Sequence, residues 1–188
     1  IIVFASSSSV YGINDKLPWK ESDLNLMPIS PYASSKISGE FLGKTFANIY
    51  NKTFISLRFF TVYGPRQRPD LAINKFFKKI QNNEVIELFG DGSSIRDYTY
   101  ISDTIDGIYA AILNDKLSGY NVFNLGSNTP IKLIDMICSI EFILNKKARK
   151  ANFPFLDFSS RTTILSMNLG IAAAYTPEGS CLGPNTLK

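Results

Sequence analysis

The chain opens with IIVFASSSSVYG (residues 1–12), and SPYASSK (residues 30–36) follows after a loop. The first four residues form a continuous apolar run that is typical of a strand buried in a parallel sheet. The serines come directly after this run, at the carboxyl end of the strand, where open α/β sheets bind ligands. Ser30 is predicted to cap a helix that begins at Pro31, so Tyr32 would lie in the first turn, at the mouth of the sheet.

The chain contains no histidine, which excludes Ser-His-Asp and Cys-His catalysis. Acid–base chemistry near neutral pH must therefore use another side chain. Tyr32 and Lys36 are four residues apart and would share one face of the predicted helix, and an ammonium near a phenol favours the phenolate. A Tyr and a Lys at this spacing are also common on ordinary protein surfaces. Their position at the end of the first strand favours a catalytic pair.

Strands and helices are predicted to alternate along the chain, as the connections of a parallel sheet require. The fold class indicated is therefore α/β. Predicted strands cover 1–6, 53–60, 85–89, 95–101 and 120–125, and predicted helices cover 31–50, 71–82, 131–144 and a segment that Ser102 or Asp103 would cap and that ends near 114.

The composition, 45% hydrophobic and 19% charged over 188 residues, is typical of a globular protein with one sizeable core. No apolar stretch reaches the ~20 residues of a membrane span. Cys138 and Cys181 are interpreted as unrelated thiols in a reducing compartment, and no set of Cys and His offers a metal site. We expect a cytoplasmic protein with no metal and no membrane or nucleic-acid partner.

The net charge of +4 includes two basic clusters. Their members are Lys75, Lys78 and Lys79 in the first, and Lys146, Lys147, Arg149 and Lys150 in the second. The favoured interpretation is a solvated helix face and a helix end, and the alternative is a nucleic-acid-binding patch. The chain shows no nucleic-acid-binding motif that would support the alternative.

Four further motifs occur in a fixed order: LRFFTVYGPR (57–66), GDG (90–92), RDY (96–98) and VFNLG (122–126). Together with the first two stretches they resemble the NAD-dependent nucleotide-sugar epimerases and dehydratases, which are extended short-chain dehydrogenase/reductases. The resemblance extends to about residue 150. The segment RFFTVYGP is most similar to the UDP-glucuronate 4-epimerases.

The resemblance implies a partial Rossmann-like parallel sheet with a small α+β substrate-binding region. Residues 1–66 would be the carboxyl-terminal part of the NAD-binding domain. Residues 67–150 would be mostly substrate-binding region with interleaved Rossmann elements. Residues 151–188 do not resemble the family, and a frameshift artefact and a genuine divergent terminus are both open interpretations.

Members of this family carry a Gly-x-x-Gly-x-x-Gly turn that holds the pyrophosphate of NAD at a helix N-terminus, and this chain has no such motif. We expect the chain to lack roughly the first third of such an enzyme. By itself it is expected to bind NAD weakly or not at all, and to be inactive.

The resemblance also implies the catalytic and cofactor-binding residues. Tyr32 would be the general base, and Lys36 would support it and contact the nicotinamide ribose of the NAD cofactor. Phe60, Tyr63 and Pro65 would pack near the nicotinamide. Phe60 could equally be an ordinary core residue.

The substrate would be a nucleotide sugar. Ser7 would hydrogen-bond the reacting sugar hydroxyl, although Ser8 could take this role and Ser7 could instead bond the backbone. Thr61 and Arg68 would hold a uronate carboxylate, with Arg68 as a solvated loop residue being the alternative. Arg96 would bind the nucleotide diphosphate.

The residues after Ser7 distinguish the reaction classes of the family. The 4,6-dehydratases resemble Thr-Asp-Glu at this place, whereas this chain has Ser8 and Ser9, which cannot act as carboxyl groups. These serines therefore favour epimerisation over dehydration. The resemblance implies that the reaction is C4 epimerisation of UDP-glucuronate to UDP-galacturonate and that the full-length protein is a homodimer. Another nucleotide-sugar epimerase or dehydratase, a non-catalytic Rossmann-derived binding protein and a basic nucleic-acid-binding module are the alternatives.

Overall fold

The computed structural model describes residues 1–14 and 16–154, together with the backbone of two short strands nearer the carboxyl terminus. The strands are β1 Ile2–Ser7, β2 Phe54–Phe59, β3 Thr61–Tyr63, β4 Val85–Phe89, β5 Ile95–Tyr100, β6 Tyr120–Leu125, β7 Pro130–Lys132, β8 Arg149–Phe153, β9 Ala174–Tyr175 and β10 Cys181–Leu182. The helices are α1 Pro31–Tyr50, α2 Ala72–Gln81, α3 Ile101–Leu113 and α4 Leu133–Leu144, and a 3₁₀ turn spans Ser8–Tyr11.

One part of the fold is a three-stranded parallel sheet with the strand order β1-β2-β6. Its register places Ser7, Phe59 and Leu125 side by side at the carboxyl edge. Ile55 and Leu57 of the middle strand are fully buried, as expected of a strand covered on both faces. The predicted α/β class with a parallel, Rossmann-like sheet is confirmed.

Helix α1 crosses over from β1 to β2 and begins where its capping residues predict. Ser30 Oγ accepts a hydrogen bond from the Ala33 N–H at 3.1 Å, and Pro31 is the first helical residue. Two glycines let the helix approach the sheet closely. A Cβ on Gly39 would lie 2.3 Å from the Phe4 ring, and one on Gly43 would lie 2.2 Å from the Phe54 ring.

The other part of the described structure contains two smaller sheets, with the strand orders β3-β5-β7 and β4-β8. Strand β5 is parallel to β3 and antiparallel to β7, and β4 is parallel to β8. Helices α2 and α4 pack with these strands around one apolar cluster, formed by Phe76, Ile80, Ile86, Leu88, Tyr98, Met136, Ile137 and Ile140. The boundaries predicted at residues 66 and 150 stay predictions.

The structure differs from the secondary-structure prediction in several details, one of which is strand β3, Thr61–Tyr63, directly after the predicted strand 53–60. Helix α3 begins directly after β5, with Tyr100 in the capping position, so the caps predicted at Ser102 or Asp103 are wrong. Residues 131 and 132, predicted as the start of a helix, belong to strand β7, and α4 begins at Leu133. Strand β8 was not predicted, and it contains Arg149 and Lys150 of the second basic cluster.

Most of the predicted divergent tail, residues 151–188, lies outside the described residues. The two interpretations of its origin therefore stay predictions from the sequence. Strands β9 and β10 form an antiparallel pair within this tail. None of the helices in the described part of the chain has the length and apolar character needed to cross a bilayer.

Candidate functional site

The serine cluster bends the chain at the carboxyl end of β1. Ser7 Oγ accepts a hydrogen bond from the Ser9 N–H at 3.2 Å and thereby caps the 3₁₀ turn. Ser8 and Ser9 are buried within that turn, whereas Ser7 is half-buried. The backbone bond that was the alternative for Ser7 is therefore present, and of the two candidate serines it is Ser7 that is more exposed.

Helix α1 places Lys36 between Tyr32 and the end of β1. Lys36 Nζ donates a hydrogen bond to the carbonyl oxygen of Ala5 at 2.9 Å. The same ammonium lies 5.4 Å from the centre of the Tyr32 ring and 5.4 Å from that of Phe4. The predicted pair and the carboxyl edge of the sheet are thus brought together, and the Tyr32 side chain is 43% exposed there.

The three aromatic or cyclic residues predicted near the nicotinamide follow β2 in sequence. Phe60 is half-buried and lies 6.3 Å from the Trp19 ring, against a cavity of about 210 Å³. Tyr63, at the end of β3, makes an edge contact with the Tyr100 ring at 5.4 Å. Pro65 lies in the exposed loop after that strand. Their cofactor role stays a prediction.

The residues predicted to bind substrate lie on two neighbouring strands and the following loop. Thr61 pairs with Tyr98, so β3 lies beside the strand that carries Arg96. Arg68 lies in the loop after β3 and is two-thirds exposed, where its guanidinium pairs with Asp70 at 3.0 Å. Arg68 is thus a solvated loop residue in this structure, and its role toward a carboxylate stays a prediction.

The sequence analysis missed a buried polar network near the carboxyl edge of the β1-β2-β6 sheet. The guanidinium of Arg58 in β2 binds both oxygens of Glu40 in α1, at 2.9 and 2.7 Å. It also donates to the Tyr11 hydroxyl at 2.9 Å, and that hydroxyl donates to Asn124 Oδ1 at 2.8 Å. Ser6 Oγ donates to Glu40 as well. The network joins β1, α1, β2 and β6.

The guanidinium of Arg58 keeps its charge in spite of burial. Burial disfavours the charged form of Arg58, but the hydrogen bonds and attraction of Glu40 and Tyr11 outweigh it and raise the pKa of Arg58. Burial likewise raises the pKa of the Tyr11 phenol, against the opposing effect of Arg58. Tyr11 is therefore a neutral hydrogen-bonding group at ordinary pH, and the guanidinium stays charged.

The sequence carries a signal for this network. Arg58 lies inside the otherwise apolar and hydroxyl-bearing strand FISLRF, and a buried charge requires a partner. Glu40 occupies the buried face of α1 together with Ile37 and Gly43. A charged residue in a core strand and one on an apolar helix face, read together, would have predicted the pair.

The phenol of Tyr32 and the ammonium of Lys36 stand together at the carboxyl edge of a parallel sheet, where α/β folds bind ligands, and both groups can hydrogen-bond the hydroxyls of a nicotinamide ribose. The residues present therefore fit that half of the cofactor. Within the described part of the chain, no cluster of three His, Cys, Asp or Glu side chains has the arrangement of a metal site.

Comparison with known proteins identifies the family to which the chain is similar. Residues 1–126 match the model of the NAD dependent epimerase/dehydratase family. An uncharacterised protein of Methanocaldococcus jannaschii is 49% identical over 83% of this chain and 47% of its own length. UDP-glucuronate 4-epimerase 5 of Arabidopsis thaliana is 39% identical over 81% of this chain and 38% of its own.

A solved structure is also similar to this chain. It is UDP-glucuronic acid 4-epimerase from Bacillus cereus in complex with UDP-glucuronic acid and NAD, with a TM-score of 0.75 and 38% identity. The match covers 80% of this chain and 48% of the Bacillus chain, so this chain spans about half the length of such relatives or less. On the strength of the family model and these relatives, the chain belongs to the NAD dependent epimerase/dehydratase family.

Proposed function

We propose that this chain carries the catalytic edge of an NAD-dependent nucleotide-sugar 4-epimerase that interconverts UDP-glucuronate and UDP-galacturonate. The observation that carries the proposal is the Lys36 ammonium, held by the Ala5 carbonyl beside the Tyr32 ring at the carboxyl end of β1. The similarity to UDP-glucuronate 4-epimerases from two organisms supports the choice of sugar.

The roles of the side chains follow from their chemistry. Tyr32, as phenolate, accepts the proton of the sugar 4-hydroxyl, and Lys36 stabilises the negative phenolate oxygen. Ser7 hydrogen-bonds the oxygen on C4 and holds it toward Tyr32. When bound, NAD supplies reversible hydride exchange with C4.

The stereochemical change then requires only rotation of the sugar. The 4-keto sugar turns over in the site, so that its opposite face is reduced, and Tyr32 returns the proton to the oxygen on C4. Atoms and electrons balance, because the proton and the hydride that leave the sugar both return to it. No further acid or base is needed, which agrees with the serines at positions 8 and 9.

The substrate contacts are proposed on the same basis. Thr61 and Arg68 would bind the C6 carboxylate, and Arg96 the diphosphate. Binding by Arg68 requires its exposed contact with Asp70 to open, which is inexpensive because exposed ion pairs contribute only about 0–1 kcal/mol. The homodimer and the cytoplasmic location stay predictions from the sequence.

The test uses the protein expressed from its complete reading frame, with NAD and each of two substrates. UDP-glucuronate is expected to react with a higher kcat/KM than UDP-glucose. In the Arg68→Ala variant this preference should fall about tenfold or more, because a charged hydrogen bond to the carboxylate is lost. Arg66→Ala, in the same exposed loop, is the matched control and should leave the preference unchanged.

Equal slowing of both substrates by Arg68→Ala would assign Arg68 to the diphosphate or to the loop, and the uronate specificity would fail. Turnover of another nucleotide hexose, with neither of these two reacting, would refute the proposed sugar and leave the epimerase chemistry intact.

A further inference from the structure

One carboxylate, that of Glu40, lies where the three elements of the candidate site meet. It accepts hydrogen bonds from the Ser6 hydroxyl at the end of β1 and from Arg58 near the end of β2. Ser6 directly precedes Ser7, and Arg58 is followed closely by Phe60. Glu40 itself belongs to α1, the helix that carries Tyr32 and Lys36.

The spacing along α1 links the position of Lys36 to that of Glu40. The two residues are four positions apart and therefore share one side of the helix. Glu40 lies on the buried face, and Lys36 lies at the border of that face, where its ammonium meets the Ala5 carbonyl. A small rotation of α1 about its axis would break that contact and move Tyr32 away from the sheet edge.

The two hydrogen bonds between Arg58 and Glu40 resist such a rotation of α1. Two parallel N–H···O bonds, at 2.9 and 2.7 Å, fix direction as well as distance. Both side chains are almost fully buried, at 3% and 5% exposure, so water does not compete for the bonds. The third nitrogen of the guanidinium, Nη1, donates to the Tyr11 hydroxyl, so the guanidinium is itself fixed from the far side.

The far side of the network reaches the wall of the cavity near Phe60. Asn124 accepts the bond from the Tyr11 hydroxyl and donates to the carbonyl oxygen of Trp19 at 3.1 Å. Trp19 and Asn124 both line that cavity. One continuous chain of hydrogen bonds therefore joins the helix of Tyr32 to the cavity wall.

A contribution to the stability of the fold is by itself a weak explanation for the burial of Arg58 and Glu40. Taking two charges out of water costs free energy that their attraction often only balances, and well-packed apolar residues can replace such pairs without loss of stability. A buried bidentate pair does provide a defined geometry, which apolar packing provides less well.

We infer that Glu40, held by Arg58, is a positioning residue that sets the rotation of α1 and the end of β1, and thereby places Lys36 and Tyr32 at the sheet edge. The inference rests on the proposed function only in that the positioned groups are the catalytic candidates named there. Glu40 acts through α1 and Ser6 and does not itself touch the substrate.

The first test uses the 188-residue chain and needs neither cofactor nor turnover. The double variant Glu40→Met/Arg58→Met removes both charges at once and leaves no unpaired buried charge. Acylation of lysines at low reagent concentration, read by mass spectrometry, should then be faster at Lys36 by about threefold or more, because its bond to Ala5 opens. Lys44, exposed on the same helix, is the internal control and should react at an unchanged rate.

Thermal unfolding separates positioning from stability. The double variant is expected to unfold cooperatively, as is Glu40→Gln/Arg58→Met, which keeps an amide oxygen to accept the bond from Ser6. A folded double variant with unchanged labelling at Lys36 would overturn the inference. Loss of cooperative unfolding in both variants would assign the pair to stability and would also overturn it.

The second test uses the protein from its complete reading frame. The double variant should lower kcat at least about tenfold with little change in KM, because misplacing a catalytic group by ~1 Å costs up to about 10²-fold in rate. An unchanged kcat would contradict the inference. If the unaltered protein turns over no nucleotide sugar, the proposed function fails, and the labelling of Lys36 still decides the positioning role.

Discussion

The hydroxyl of Ser7 can serve the backbone and a substrate together. A serine hydroxyl has one proton to donate and two lone pairs to accept hydrogen bonds. The Ser9 N–H uses one lone pair, at 3.2 Å, so the proton can still point to a sugar oxygen. The cap also fixes the side chain at the strand end, and the two interpretations of Ser7 are therefore compatible.

Glu141 in α4 is a second carboxylate whose contacts have a measurable consequence. It accepts a hydrogen bond from the Ala148 N–H at 2.9 Å and pairs with Lys147 and Lys150 of the second basic cluster, at 3.2 and 3.4 Å. The bond from Ala148 and these ammonium groups lower the pKa of Glu141 below its ordinary value of 4.5, against the opposing effect of burial. Part of the second basic cluster is thus a partner for this carboxylate.

The lowered pKa predicts a specific loss of stability in acid. A carboxyl whose pKa is lower in the folded state stabilises the fold at pH values above 4.5, and this contribution disappears as the pH falls through the folded-state pKa. Glu141→Gln should therefore flatten the decline of the melting temperature below pH 4.5. Glu87→Gln, at a half-exposed site paired with Lys75 at 3.8 Å, is the control and should follow the unaltered chain. Identical acid profiles for all three proteins would contradict the prediction.

At the scale of elements, α1 is positioned by local sequence at its start and by close packing in its middle. The cap at Ser30 and the proline after it are local signals, and the helix begins where they predict. Gly43 lies against the buried Phe54 ring, a contact between residues of different elements. Local signals place the start of this helix, and packing sets its distance from the sheet.

Gly43→Ala should destabilise the chain although alanine is the better helix former. The gain in helix propensity is about 1 kcal/mol, whereas a methyl group 2.2 Å from a buried ring must displace that ring, and overpacking costs about 1–3 kcal/mol. We expect a net loss of ~1 kcal/mol in the free energy of unfolding, measured by urea denaturation. Ser38→Ala, at an exposed position of α1, should be neutral or stabilising. A stabilised Gly43→Ala variant would mean that α1 does not pack as closely against Phe54 of β2 as described.

The elements that sequence analysis missed are those that depend on distant partners. Strand β8 contains RKANF, which has no apolar alternation, and it is a strand because it pairs in parallel with β4. The caps predicted at Ser102 and Asp103 are wrong because β5 runs directly into α3, and Ser102 Oγ bonds the Asp103 carboxylate instead. Local preference is a weak guide where tertiary pairing decides.

At the scale of the whole molecule, the candidate site is assembled from parts that are far apart in sequence. The carboxyl ends of β1, β2 and β6 meet at one edge because the three strands are parallel and in register. The strand pattern and the order of motifs predicted this sheet, the family and the pair of Tyr32 and Lys36. In the buried network, the charged residues Arg58 and Glu40 are a signal in the sequence, but the bond from Tyr11 to Asn124 joins residues 113 positions apart and has no local signal.

The measurement that most directly tests the account is the activity of Tyr32→Phe in the protein from its complete reading frame. The ring is retained, so the fold and NAD binding should be preserved, while the proton acceptor is lost. We predict that kcat/KM for the nucleotide sugar falls by about 10²–10⁴-fold, the usual contribution of a general base. Tyr50→Phe, at the exposed end of the same helix, should retain full activity. Near-normal turnover by Tyr32→Phe would contradict the assignment of Tyr32 as the base and, with it, the proposed site.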